Sequence, residues 1–467
     1  MIRLLLMLFP AFWLAGCSKP VPAPDPTLSG ELIVGTRNSP TAYFNDVENE
    51  PSGYAYELIS HFATQHGWKV RWEVSPDLAS LYALAKEGKV NIIAAELTER
   101  AVKHQGLIPG PTLFITQALI ISRLNGPAIS KPADLAGRKI AVLAEGGHVE
   151  LMEALKKKVP RLSWEVHAEA WPEELLSRLS EGEFDAVVIN ETDYDRARHY
   201  YPGLTVSQVL ENYQKVVWAL PRGTPKELAK QLKLFTAQME QEGVLRRTFE
   251  RYYGHIKRLD DSDIAGILSR RPLQLPKYKK LFQEANEETG IDWRLLAAIG
   301  YQESQWDPYA TSPTGVKGLM MLTGDTADRM GVTDRLDPRQ SIRAGARYLT
   351  MLRDSLPDRV KEPDRTWIAL AAYNQGMGHM EDARRITLAR KMNPDSWADV
   401  KMNLPLLAHG SYARKTKYGY ARGGEAVIFV ESIRNYYDIL ARFEDPHKPF
   451  MGLTENNAKS SKTLALQ

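Results

Sequence analysis

Glu303 is the side chain placed best to do chemistry. Leu296, Ile299 and Glu303 stand at i, i+3 and i+7, so on a helix they share one face. A carboxyl group that continues a buried apolar face is costly to ionise. Its pKa is expected to rise, which suits a general acid working near neutral pH. The plainer alternative is an exposed glutamate at a helix end. Ser304 follows directly. A nucleophilic role for it is poorly supported, because no His or Lys lies in a recognisable partner motif. The ten histidines form no His-x-x-x-His or His-Glu-x-x-His pattern, and the chain has one cysteine. No metal and no cofactor is expected, and a disulfide framework is excluded.

The elements that must hold Glu303 read as helices. Residues 278–289 and 293–304 are helical, with Asp292 a candidate N-cap for the second. Ser341 is a candidate cap before 342–352. A tightly apolar helix over 364–373 is closed by Gly376, and 425–443 is the last long helix. This is an all-α unit over 278–445. The charged stretch 256–277, with Pro272 and Pro276, reads as a linker or short connecting helix.

The first half has a different texture. Leu32-Ile33-Val34-Gly35 is a buried-strand signature, and helix and strand then alternate through 54–65, 69–74, 81–86 and 90–95. The pattern recurs at 139–143, 173–179 and 185–189. Two α/β lobes over 29–255 imply a cleft between them.

Four segments of the helical half occur in a telling order. They are Glu303-Ser304, Gly318-Leu319-Met320-Met321-Leu322-Thr323, Ala371-Ala372-Tyr373-Asn374 and Val430-Glu431-Ser432-Ile433-Arg434-Asn435-Tyr436. Together they resemble the soluble lytic transglycosylase family, which has a goose-type lysozyme-like fold. The resemblance implies cleavage of the MurNAc–GlcNAc β-1,4 bond of peptidoglycan without water. Glu303 would protonate the glycosidic oxygen and then take the proton of the muramyl C6 hydroxyl. The substrate's N-acetyl oxygen would stabilise the cationic centre, an exception to the two-carboxylate rule. Gly318 would let backbone approach the sugar or the acid. Met320 and Met321 would form a soft wall for sugar faces. Met321 departs from the commoner glutamine, which removes one polar contact to substrate. Tyr373 and Asn374 would hydrogen-bond the acid or the N-acetyl group, or else serve as core and cap. The Tyr436 hydroxyl would reach the acid, or its ring would be core. Ser304 would position Glu303. Glu431 and Arg434, three apart, would pair with each other. A water-using muramidase would need a second carboxylate, with Asp307 and Asp325 the nearest candidates. A third reading is a glycan-binding receptor without catalysis. The basic stretch 414–422 is either a solvated loop or faces peptide carboxylates of peptidoglycan.

In the first half, Leu32 to Gly35, Gly53 to Leu58, Leu97-Thr98-Glu99-Arg100, Asp134 to Val142 and Phe184-Asp185-Ala186-Val187 follow one another in order. They resemble the periplasmic solute-binding family for polar amino acids. The resemblance implies that Arg100 clamps a ligand carboxylate, as a bidentate guanidinium can; a structural salt bridge is the alternative. The family's amine-binding aspartate is replaced by Asn190, which favours a muropeptide or peptide fragment over a free amino acid. The expected architecture is therefore multidomain: a two-lobed α/β binding-protein-like unit, then an all-α lysozyme-like unit.

The chain opens with one charge, Arg3, and an apolar run to Leu14, followed by Ala15-Gly16-Cys17. This suits a signal segment over 1–17. Its end resembles the lipobox of bacterial lipoproteins, with Cys17 lipidated; a plain signal peptide or a retained anchor is the alternative. Ser18 after the cysteine resembles the outer-membrane sorting pattern. The expected location is the periplasmic face of that membrane, anchored in its lipid but not spanning it. Residues 18–28, rich in proline, read as a tether, and 446–467 as a polar tail.

Composition sets the outer bounds. There are 467 residues, 43% hydrophobic and 25% charged, with net charge +3. Whole-chain disorder is excluded. Mean hydropathy of −0.35 excludes a polytopic membrane protein. Nothing calls for nucleic acid; mild positive charge suits an acidic polymer or anionic lipid.

Overall fold

A computed structural model describes residues 22–45, 50–144, 146–168 and 170–447. Cys17, the signal segment and most of the polar tail lie outside the described residues.

The strands are β1 (Glu31–Arg37), β2 (Phe44–Asn45), β3 (Pro51–Ser52), β4 (Lys69–Ser75), β5 (Ile92–Thr98), β6 (Ile108–Arg123), β7 (Ile140–Leu143), β8 (Glu165–His167), β9 (Ala186–Asn190) and β10 (Leu204–Leu220). Apart from the small β2–β3 pair, they form one sheet in the order β4-β1-β5-β10-β6-β9-β7-β8. Strands β4, β1 and β5 run parallel in a first lobe, and β9, β7 and β8 in a second. Buried parallel strands read as continuous apolar runs, which is why these were legible. The long antiparallel pair β6 and β10 passes through both lobes and joins them. Each lobe has apolar cores on both faces of its strands.

Two expectations change here. The described part of the tether is fastened to the first lobe. Ala23 donates to the Gly88 carbonyl at 2.6 Å, and the buried Asn91 amide donates to the Pro24 carbonyl at 2.9 Å. A buried amide needs a partner, and this segment provides it. The expected linker is helix from Asp261 onward: Asp261–Thr289 runs unbroken through Pro272 and Pro276. Each proline removes a backbone donor and is unfavourable in a helix interior. Burial of Ile264, Ile267, Leu275, Phe282 and Ala285 along one face outweighs that cost, and the helix belongs to the helical core.

That core surrounds helix Trp293–Ser304, the acid helix, whose first nine residues are all buried. Helices Pro338–Asp354, Asp364–Gln375 and Gly423–Phe443 pack around it. Ser341 is not a cap. The helix starts at Pro338 with Asp337 as N-cap, and Ser341 is fully buried in its interior.

Candidate active site

The acid helix begins with the Asp292 side chain accepting from the Arg294 N–H at 2.9 Å. Its end is unusual. Gln305 and Trp306 both have positive φ, 54° and 63°. Two successive non-glycine residues there are costly unless the surroundings enforce them. Trp306 shows what enforces them: it is buried, its indole N–H donates to the Ala297 carbonyl at 2.8 Å, and its ring lies against Tyr301. The helix is thereby stopped just after Glu303.

The Glu303 carboxyl is half-buried and makes no hydrogen bond or ion pair with any described residue. Burial alone raises its pKa to about 8. No charged group among the described residues shifts it. Asp307 instead accepts from the Tyr309 N–H at 2.9 Å, and Asp325 lies in the first turn of an exposed helix. The one described group that feels Glu303 is Tyr373, whose phenol pKa is pushed far up by burial and then by the Glu303 charge.

The segment after Gly318 is fastened from three sides. The Ser304 hydroxyl donates to the Leu319 carbonyl at 2.8 Å, the Tyr373 hydroxyl donates to the Met320 carbonyl at 3.1 Å, and the Ser341 hydroxyl accepts from the Met320 N–H at 3.1 Å. Ser304 thus ties the acid helix to this turn. Gly318 is required for another reason than expected. Its φ is +82°, and a Cβ would sit 1.8 Å from the Arg335 carbonyl oxygen. The close approach is to Arg335, not to the acid. Met320 is fully buried against Gly300 and Gly345, so it is core rather than a sugar wall. Met321 is half-buried with φ +47° at the turn. Asn374 is exposed at the end of helix Asp364–Gln375 and contacts only Gln375.

Tyr436 is not at the acid. Its ring packs edge-on against Tyr301 at 4.7 Å. Burial and then Asp263 raise its pKa, with Tyr301, Asp260 and Arg258 the other contributors and Glu303 not among them. Tyr301 and Glu303 are two positions apart, so they point to different faces of the acid helix. Phe429 of the last helix stacks on Tyr373, with centroids 6.5 Å apart. Phe429 and Trp306 act through shape, Arg335 meets Gly318 through its backbone carbonyl, and Ser341 acts through a buried hydroxyl rather than as a cap.

In the first unit Arg100 is engaged by Glu211 at 2.6 Å and lines a cavity of about 510 Å³ with Lys103, His104, Glu150 and Lys215. It does not line the space between β1 and β9. That space is filled by a buried ion-pair cluster. Arg37 pairs with Glu96 and, at 3.2 Å, with Asp193, while Arg196 pairs with Glu173 and, at 3.0 Å, with Asp193. Burial would raise the Glu96 pKa, but Arg37 and Arg196 outweigh it and hold it below the usual range. The Asn190 Oδ1 accepts from His148 Nε2 at 3.0 Å, and burial lowers that histidine to about 4, so it is neutral.

Relatives decide what these parts amount to. The chain is 51% identical over 440 residues to a membrane-bound lytic murein transglycosylase F of Thiobacillus denitrificans, covering 94% of this chain and 93% of that one. This chain belongs to the membrane-bound lytic murein transglycosylase F family. A relative of the same name from Methylobacillus flagellatus is 41% identical over 96% of both chains. The Transglycosylase SLT domain family matches residues 280–395, and bacterial extracellular solute-binding proteins, family 3, match 32–255. An ancestral arginine-binding protein bound to arginine is similar over 48% of this chain and 98% of its own, with TM-score 0.43 and 19% identity. The architecture is a solute-binding-protein-like α/β unit followed by a helical transglycosylase unit.

Proposed function

We propose that this chain cleaves the MurNAc–GlcNAc β-1,4 bond of peptidoglycan and leaves 1,6-anhydromuramyl ends, with Glu303 as both acid and base. Membership of the family gives the reaction class. The observation that supports the residue is a half-buried, unpartnered carboxyl of pKa about 8 with no charged group acting on it. It is protonated at neutral pH and can donate to the glycosidic oxygen. Once ionised, it lies next to no cation that would hold it, so it can take back a proton from the muramyl C6 hydroxyl. Hydrolysis by a two-carboxylate mechanism wants a partner roughly 5–9.5 Å away, and a charged partner would act on Glu303. Tyr373 supports the turn that carries Met321, and Asn374 is open to the N-acetyl group. Mass spectrometry of products from purified sacculi tests the reading. Muropeptides one water lighter than hydrolysis products, absent with Glu303→Gln, are expected; reducing-end products would overturn it.

The relatives are named membrane-bound. No helix among the described residues is long and apolar enough to cross a membrane. Anchoring through lipidated Cys17 at the periplasmic face of the outer membrane fits both. The α/β unit is proposed to take a peptide or muropeptide fragment. The groups suited to a carboxylate and an ammonium are Arg37, Arg196, Glu96, Glu173 and Asp193 rather than Arg100, and a ligand would have to displace their mutual pairs. Calorimetry with cell-wall peptides, on the native chain and on Arg196→Ala, tests this; binding unchanged by the substitution would count against it.

A further inference from the structure

The loop 414–422, between helices Gly410–Ala413 and Gly423–Phe443, carries an unusual surface. Arg414, Lys415 and Lys417 are exposed, and none pairs with a carboxylate among the described residues. Tyr418 and Tyr420 are exposed aromatics beside them, at 45% and 63%, and Lys417 lies over the Tyr418 ring at 5.0 Å. Three free cations within four positions repel one another, so a solvated loop would be expected to fray. This one is held instead. The carboxylate of Asp382, itself buried, accepts from the Lys417 N–H at 3.1 Å and the Tyr418 N–H at 2.7 Å. Asp382 is also paired with Arg385 at 3.3 Å, so the charge is balanced while its two backbone bonds fix the loop and the side chains above it.

The loop's place indicates its use. The Tyr418 ring covers Gly378 so closely that a Cβ there would lie 2.8 Å from it, and it meets the His379 ring at 6.2 Å. Gly378 follows Asn374 by four residues, at the start of the next helix. At the loop's other end, Gly423 leads in six residues, about 9 Å of helix, to Phe429 against Tyr373. The loop thus adjoins, at one end, the helix that follows Asn374 and, at the other, the helix that carries Phe429 against Tyr373.

Resting on the reading of the chain as a transglycosylase, we propose that residues 414–420 form a subsite for the carboxylates of the stem peptides on the glycan strand. Arg414, Lys415 and Lys417 supply the charge, and Tyr418 and Tyr420 the flat apolar contact. The loop thus favours peptide-bearing peptidoglycan over naked glycan.

The test compares the native chain with Arg414→Ala/Lys415→Ala/Lys417→Ala on two substrates: intact sacculi, and glycan strands stripped of peptides by an amidase. The backbone bonds to Asp382 survive these truncations. The expected result is a roughly fivefold to tenfold loss of kcat/KM on sacculi, the size of removing three exposed ion pairs together, with less than twofold change on stripped strands. The native preference should also shrink with added salt. In a Glu303→Gln background, where nothing turns over, the triple substitution should weaken retention on sacculi. Equal losses on both substrates would overturn the proposal. So would unchanged kinetics with lost binding to anionic phospholipid vesicles, which would assign the loop to a lipid surface. A native chain that cuts stripped strands but shows no preference for sacculi refutes the subsite alone; one that cuts neither refutes the transglycosylase reading with it.

Discussion

Glu303→Gln should do more than abolish turnover: it should stabilise the protein, and only at pH values above the ordinary carboxylate range. The carboxyl has a pKa of about 8 when folded and an unperturbed value of 4.5. Between these values the unfolded chain has released the proton and the folded chain has kept it. Stability therefore falls as pH rises from 4.5, and the loss is complete above about 8. Taken whole, the penalty is about 3 kcal/mol at pH 7. Water still reaches one side of the carboxyl, so about half of that is the better expectation. The uncharged amide of glutamine escapes it. For a chain of 467 residues melting as one, the gain is about 1–2 °C in Tm at pH 7 and close to zero at pH 4. Thermal unfolding of the native chain and the variant at pH 4, 5.5 and 7 measures it. A variant equally displaced at all three values, or destabilised at pH 7, would refute the claim that the carboxyl sits unpaired in a poorly solvated place.

The same pKa sets the activity profile: kcat/KM on sacculi should be flat toward neutral pH and fall tenfold per unit above about pH 8, and a decline centred near 4.5 would rule Glu303 out as the acid. Gly318→Ala places a Cβ 1.8 Å from the Arg335 carbonyl oxygen at a positive φ, so a loss of about 3 kcal/mol or more is expected in denaturant unfolding. Tyr373→Phe leaves the buried Met320 carbonyl without its partner and should cost about 1–3 kcal/mol, with kcat falling more than KM rises because the turn beside the acid is loosened.

The acid helix was legible because Leu296 and Ile299 are buried ahead of Glu303, but the helix is buried all round over its first nine residues rather than on one face. The buried parallel strands β1, β5 and β9 were equally plain. Side chains that act through shape were not. Met320 and Gly318 lie in a motif that reads as a sugar site, yet one fills core and the other makes room for a carbonyl. Arg100 carries the right group in the right order of motifs, but Glu211, 111 residues later, claims it. Arg37 and Arg196 carry the same chemistry with no motif around them, and only the fold brings them to Asp193. Pro272 and Pro276 misled because local propensity was outvoted by a buried face about six turns long, from Ile264 to Ala285.

The fourth motif, Val430 to Tyr436, shows most clearly how a segment near an active site can have another job. Glu431 and Arg434 pair with each other at 3.1 Å, as expected, but Glu431 also accepts from Trp397, and Arg434 donates to the Arg251 carbonyl. Asn435 donates to the His255 carbonyl at 2.7 Å. Arg251 and His255 belong to helix Val244–Tyr252 of the first unit and the turn after it. Arg251 itself bridges Glu57 of the α/β unit and Asp364, each at 2.6 Å, and Asp364 starts the helix that ends in Tyr373 and Asn374. The motif is a docking face. If so, the two units melt as one. Arg251→Met leaves Glu57 and Asp364 without their shared cation, a loss of about 2–4 kcal/mol across the junction. Calorimetry should show one transition for the native chain and two for the variant. Two well-separated transitions in the native chain would mean that these part-buried pairs orient the units without binding their stabilities together.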